Sequence, residues 1–266
     1  MEIELEKVGI NRKEKIFSIS TPNPLVAFTG EKVSEVSRKM ASSLHRSLPV
    51  VDKKFSLRGI VTITDIFSLL LSGGEMNIPV ESIMSREVVS CEAGETIEYV
   101  LQKMKISKRG RLPVLSMKKV IGIISETDFI LASRSFEAFE DVIIEEVMVK
   151  KPFVIPPIFN VRDVVKTMVN GKYRRLPVVE NGKLVGYVTS TLLFKNLVDN
   201  SFSELFLRRK ISELMTKNPL TARKQEKLKN VLQVMKEKKI SSMLIVDENN
   251  NLEGIFTERD FINLLV

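Results

Sequence analysis

YRRLPVVENGKLVGYVTS, residues 173 to 190, decides the fold. Two β-rich runs, LPVV and LVGYV, flank Asn181-Gly182, a dipeptide that tolerates positive φ and closes a tight hairpin. Upstream, Val161, Val164, Val165 and Met168 fall at i, i+3, i+4 and i+7, one face of a helix. Gly171 is its expected stop. KPFVI, residues 151 to 155, reads as a short strand ended by Pro156 and Pro157. Downstream, Leu193, Phe194, Leu197 and Val198 mark a second helix that begins near Thr191. The unit is β-α-β-β-α.

The unit occurs four times. An apolar helix position recurs at Val33, Ile97, Val161 and Leu228, spaced 64, 64 and 67 residues apart. Met40, Met104, Met168 and Met235 keep the same intervals, as do Pro49, Pro113, Pro177 and then Leu244. Gly59, Gly122, Gly186 and Gly254 keep them within one residue. Self-similarity at a fixed period fixes the architecture. One such unit leaves an apolar sheet face uncovered, and pairing two units would bury it. The expected fold is α+β, with four repeats packed as two tandem pairs. Pair 1 spans 1–140, with repeats at about 15–72 and 80–135, and pair 2 spans 141–266, with repeats at about 144–200 and 208–266. The expected boundary lies in the stretch 139–144.

Composition narrows the function. With 44% hydrophobic residues the chain can bury a core. It has no apolar run of the roughly 18 residues that cross a bilayer, and its first residues, MEIELEKVGI, do not resemble a signal peptide. A cytoplasmic location is expected. Cys91 is the sole cysteine and His45 the sole histidine, so no intrachain disulfide and no clustered His/Cys metal site can form. No metal cofactor is expected. Residues 201–240 hold 11 Lys and Arg against 4 Asp and Glu, which favours an anionic partner.

The chemistry-bearing pattern follows each hairpin. It is Gly-x-x-[Ser/Thr]-x-x-Asp, read as GIVTITD (Thr62, Asp65), GIISETD (Ser125, Asp128) and GIFTERD (Thr257, Asp260). The third copy, GYVTSTL, keeps Thr189 and has Leu192 in place of the acid. A hydroxyl followed three residues later by an acid is a helix capping box. The same groups suit a phosphate at helix amides and a ribose diol on a carboxylate. Both readings stand together. Before the hairpins lie His45-Arg46, Lys108-Arg109-Gly110-Arg111 and Lys172-Tyr173-Arg174-Arg175, whose guanidiniums suit phosphate; the fourth copy has Ile240-Ser241-Ser242. The alternative is helix-end cations that complement the dipole.

YRRLPVVENGKLVGYVTS, with GIISETDF and GIFTERDF at matching places, resembles the CBS domain, named for cystathionine β-synthase. Four copies cover about residues 15–266. The resemblance implies pairs called Bateman modules, in a layout similar to the γ subunit of AMP-activated protein kinase. It implies adenosine ligands (AMP, ADP, ATP, sometimes S-adenosylmethionine) in clefts between paired copies. Carried over by position, Asp65, Asp128 and Asp260 would hold ribose hydroxyls, while Thr62, Ser125, Thr189 and Thr257 would approach ribose or phosphate. Arg46, Arg111, Arg174 and Arg175 would meet phosphates.

The expected function is a non-catalytic regulatory protein that senses adenine nucleotide and signals to a protein partner in trans, as monomer or homodimer. The repeats leave only short connectors and about fifteen N-terminal residues, with no catalytic constellation apart from the repeat pattern. The alternative is an RNA- or ribosome-binding factor that uses Arg208, Arg209, Lys210 and the basic helix at 223–239. Its low aromatic content, 6% with no Trp, leaves few platforms for base stacking.

Overall fold

Val161, Val164, Val165 and Met168 are all buried along one helix, and their counterparts in the other three periods are buried too. The helical spacing therefore sets the inward face of every repeat. The computed structural model describes residues 2–266. Repeat 1 holds β1 (Thr21–Pro22), β2 (Ala27–Phe28), α1 (Val33–Ser42), β3 (Ser47–Val51), β4 (Leu57–Thr62) and α2 (Ile63–Leu71). Repeat 2 holds β5 (Cys91–Glu92), α3 (Ile97–Ser107), β6 (Arg111–Ser116), β7 (Lys119–Ser125) and α4 (Glu126–Ala132). Repeat 3 holds β8 (Val149–Lys150), α5 (Val161–Gly171), β9 (Arg175–Glu180), β10 (Lys183–Thr189) and α6 (Ser190–Asp199). A short helix α7 (Glu204–Leu207) leads to repeat 4, with β11 (Thr221–Ala222), α8 (Leu228–Glu237), β12 (Ser242–Val246), β13 (Leu252–Thr257) and α9 (Glu258–Leu264).

Each repeat is built on its antiparallel hairpin, β3–β4, β6–β7, β9–β10 or β12–β13. In repeats 1, 2 and 4 a two-residue strand lies parallel to the hairpin's first strand. Asn181 and Gly182 turn the third hairpin with φ of 51° and 81°, as their chemistry demands. Two expectations in repeat 3 differ. KPFVI is not a strand: only Ile155 bridges, parallel to Val178, and Lys151 has φ 51°. Gly171 does not stop its helix; it is the last helical residue, and Lys172 takes the left-handed conformation at φ 54°.

Contacts divide the chain into two units. The even unit comprises the segment up to Pro24, Val89–Pro152 and Leu220–Val266, and so contains repeats 2 and 4. The odd unit comprises Leu25–Val88 and Phe153–Pro219, with repeats 1 and 3. The expected boundary near residue 140 is therefore not where contacts part the chain. Phe139, Val142 and Ile144 lie inside the even unit's core, where Phe139 packs on Phe261 at 6.0 Å between ring centroids. In the odd unit Phe67 of repeat 1 meets Phe194 of repeat 3 at 6.1 Å. Fully burying such a ring is worth about 1.5–3 kcal/mol.

The chain leaves one unit for the other after Pro24, Val88, Pro152 and Pro219, positions that share the 64, 64, 67 spacing. Linker pairing accounts for these crossings. β1, at the start of repeat 1, pairs with β7 of repeat 2, and Ser85, at the start of repeat 2, bridges Ile60 of repeat 1. Likewise β8 pairs with β13 of repeat 4, and Thr216 bridges Tyr187 of repeat 3.

The N-terminal residues are more than a connector. Leu5, Val8, Ile10 and Ile16 belong to the even unit's core. Ile3 and Leu265 form a parallel bridge, and the Val266 N–H donates to the Ile3 carbonyl at 2.8 Å. Among the described residues no helix is long and apolar enough to cross a membrane.

Candidate functional site

In every repeat the hairpin's second strand ends on a hydroxyl residue that also caps the following helix. Thr62, Ser125, Thr189 and Thr257 are extended at φ −125°, −133°, −110° and −131°, so the strand runs into the helix without a loop. The backbone N–H and hydroxyl of Ser125 both donate to Asp128 Oδ2, at 2.6 and 2.7 Å. Thr62 does the same to Asp65 Oδ2 at 2.7 Å for both, and Thr257 to Asp260 Oδ2 at 2.8 Å for both. These are capping boxes, as the spacing implied. Repeat 3 keeps one bond of the box, with the Leu192 N–H donating to Thr189 Oγ1 at 3.1 Å.

Strand register sorts the basic residues into two positions. Arg111 stands directly opposite Ser125 and Arg175 opposite Thr189, where repeats 1 and 4 have Ser47 and Ser242. Arg46 and Arg174 come one residue earlier, and their carbonyls accept the first helical N–H, from Ile63 at 3.0 Å and Ser190 at 2.9 Å. Gly110 and Ser241 fill that place in repeats 2 and 4, accepting from Glu126 and Glu258. The odd unit thus gathers Arg46, Thr62, Asp65, Arg174, Arg175 and Thr189, and the even unit gathers Arg111, Ser125, Asp128, Thr257 and Asp260.

One site residue opens on a defined cleft. Asp128 lines a space of about 370 Å³ in the even unit, together with Ile10, Asn11, Glu14, Ser18 and Arg134. Burial lifts the Asp128 carboxyl above the ordinary aspartate range, against the pull of the Ser125 hydroxyl and amide and the Arg111 guanidinium. A half-buried carboxylate with one oxygen committed to its cap can hold a diol with the other. Asn11, Glu14, Ser18 and Arg134 were not legible in the sequence, because no motif tied the N-terminal segment to α4. Glu126 and Glu258 were legible: only GIISETD and GIFTERD carry an acid directly after the cap residue.

Five of the eleven cations of the basic stretch are engaged inside the even unit. Lys224 pairs with Glu253 at 2.9 Å, and Lys227 and Lys229 both reach Glu140. Arg223 donates to the Val246 carbonyl, and Lys236 to that of Ser133. Outside that unit Arg209 pairs with Glu213 at 2.8 Å. Among the described residues no group of three or more His, Cys, Asp or Glu could hold a metal ion.

The CBS domain profile matches residues 16–72, 80–135, 144–199 and 211–266. The chain belongs to the CBS domain family. These CBS repeats are similar to those of MJ1225 of Methanocaldococcus jannaschii, 29% identical over 248 residues that cover 84% of this chain and 88% of that protein. The crystal structure of MJ1225, described as a candidate archaeal homologue of γ-AMPK, superposes with a TM-score of 0.81 at 25% identity, over 94% of this chain and 99% of that one. A conserved protein from Pyrococcus horikoshii has a similar fold, with a TM-score of 0.62 at 21% identity over 94% of this chain and 99% of its own. An inosine-5'-monophosphate dehydrogenase of Korarchaeum cryptofilum is 22% identical over 192 residues, 72% of this chain but 37% of that enzyme.

Proposed function

We propose that this CBS protein is a non-catalytic regulator that binds adenosine ligands beside its capping turns and relays their occupancy to a protein partner in trans. The observation that carries this reading is Asp128: a capping carboxylate, lifted in pKa by burial, that faces a cleft of about 370 Å³. Titratable groups with perturbed pKa values cluster in functional clefts, which makes Asp128 a site candidate. The likeness over nearly the whole chain to MJ1225, described as a candidate archaeal homologue of γ-AMPK, supports a regulatory role. AMP, ADP and ATP are the candidates, with Asp65, Asp128 and Asp260 as ribose acceptors, Thr62, Ser125, Thr189 and Thr257 beside them, and Arg46, Arg111, Arg174 and Arg175 as phosphate donors. Ligand acts by differing affinity for two arrangements of the repeats, which the partner distinguishes. Isothermal calorimetry on nucleotide-free protein tests the reading: AMP, ADP or ATP should bind in the micromolar range, and Asp65→Ala should weaken binding. Absence of binding heat with any of the three would refute it.

A further inference from the structure

The odd and even repeats differ in charge at one structural position. Where the first helical N–H meets the strand entrance, repeats 1 and 3 pair Arg46 with Ile63 and Arg174 with Ser190. Repeats 2 and 4 pair Gly110 with Glu126 and Ser241 with Glu258. In repeat 2 the exchange is steric as well as electrostatic. A Cβ at Gly110 would lie 2.6 Å from Glu126 Oε2, so a side chain in that place would require this carboxylate to move aside. The carboxylate occupies the space from which the arginine side chain of repeats 1 and 3 starts.

Both glutamates are fixed. Glu126 is 1% exposed and Glu258 0%. The Arg259 Nε donates to Glu126, and its Nη1 to the Lys108 carbonyl at 2.9 Å. In return the Thr127 hydroxyl donates to Glu258 Oε2 at 2.6 Å. At these turns and strand entrances the even unit carries Glu126, Asp128, Glu258 and Asp260 against Lys108, Arg109, Arg111 and Arg259. The odd unit carries the single acid Asp65 against Arg46, Lys172, Arg174 and Arg175. Fixed carboxylates repel a phosphate, and burial keeps water from screening them. Guanidiniums at a strand entrance favour it.

We propose that Glu126 and Glu258 are specificity determinants that exclude phosphate-bearing ligands from repeats 2 and 4. Adenylate then binds only in the odd unit, and the even unit takes phosphate-free adenosine ligands on the Asp128 side. This rests on the adenosine-ligand reading above. Specificity of this kind comes from the repulsive element as much as from the attractive one. The raised Asp128 carboxyl agrees with it, since Glu258 is among the groups that push it upward.

Hydrogen–deuterium exchange with mass spectrometry on the full chain, with AMP or adenosine added, separates the outcomes. AMP should slow exchange at 62–66 or 189–193 and leave 125–129 and 257–261 unchanged, while adenosine slows 125–129. Glu258→Gln, which keeps an acceptor for Thr127, should raise AMP affinity at the even turns at least about tenfold. Equal protection of the even turns by AMP and adenosine in the parent protein overturns the proposal and leaves the adenosine reading intact. Protection nowhere, with either ligand, overturns both. Should the variant fail to fold, the parent protein alone decides.

Discussion

Arg259 of repeat 4 closes over Glu126 of repeat 2, and the two side chains are 32% and 1% exposed. Removing the arginine takes a charged partner from a buried carboxylate. Arg259→Met is therefore expected to cost about 3 kcal/mol by chemical denaturation. Lys195→Ala, which breaks the exposed pair Lys195–Asp199 on α6, should change stability by less than about 0.5 kcal/mol.

The capping boxes are unequal. Asp65 and Asp260 each accept two bonds from the residue that caps their helix, whereas Thr189 has a single cap bond to Leu192. Asp65→Ala and Asp260→Ala should each cost about 1 kcal/mol. Thr189→Ala should cost less. Thermal unfolding of the three variants without ligand checks the order.

Asp128 is expected to show opposite effects on stability and binding. Its carboxyl is raised in the folded state, so folding favours the proton. The ionised group's penalty is absent well below the ordinary aspartate value of 3.8 and fully present above the folded value. Asp128→Asn keeps an acceptor for Ser125 and removes the charge. It should raise Tm at pH 7 by about 2 °C, lose that advantage as pH falls below the ordinary aspartate value, and weaken adenosine binding. Differential scanning fluorimetry against pH, with a parallel ligand titration, measures both.

Cys91 is held inside the even core, and burial pushes its thiol up to about 12 from an ordinary 9.0. Its Sγ donates to the Pro113 carbonyl at 3.7 Å. Native protein at pH 8 should react with a maleimide roughly a thousandfold more slowly than unfolded chain. A time course with and without denaturant reads this directly.

Leu5 lies ahead of the first matched repeat, yet is 0% exposed. Leu5→Ala should cost about 2–5 kcal/mol, as for a full core position. A loss below about 0.5 kcal/mol in denaturant titration would show that the N-terminal segment is not part of the core.

Much of this was legible in the chain. Gly-x-x-[Ser/Thr]-x-x-Asp named the capping turns because the box needs a hydroxyl and an acid three residues apart, a purely local requirement. Asn181-Gly182 named a hairpin for the same kind of reason. Gly171 misled, because a left-handed cap favours glycine without requiring it, and Lys172 takes the conformation instead. KPFVI misled because a β-rich run becomes a strand only where a partner edge is free, and only Ile155 finds one.

By itself the sequence determined the period, the order of elements within each repeat and the place of each capping turn. These depend on residues a few positions apart. The tertiary structure decided which repeats share a core. Four first helices present nearly the same apolar face, from Val33 to Met40, Ile97 to Met104, Val161 to Met168 and Leu228 to Met235. Local periodicity cannot choose among such faces. The choice rests on groups that meet only after the chain has crossed between units, such as Phe67 with Phe194 and Glu126 with Arg259. Their complementarity of shape and charge is a property of pairs far apart in sequence.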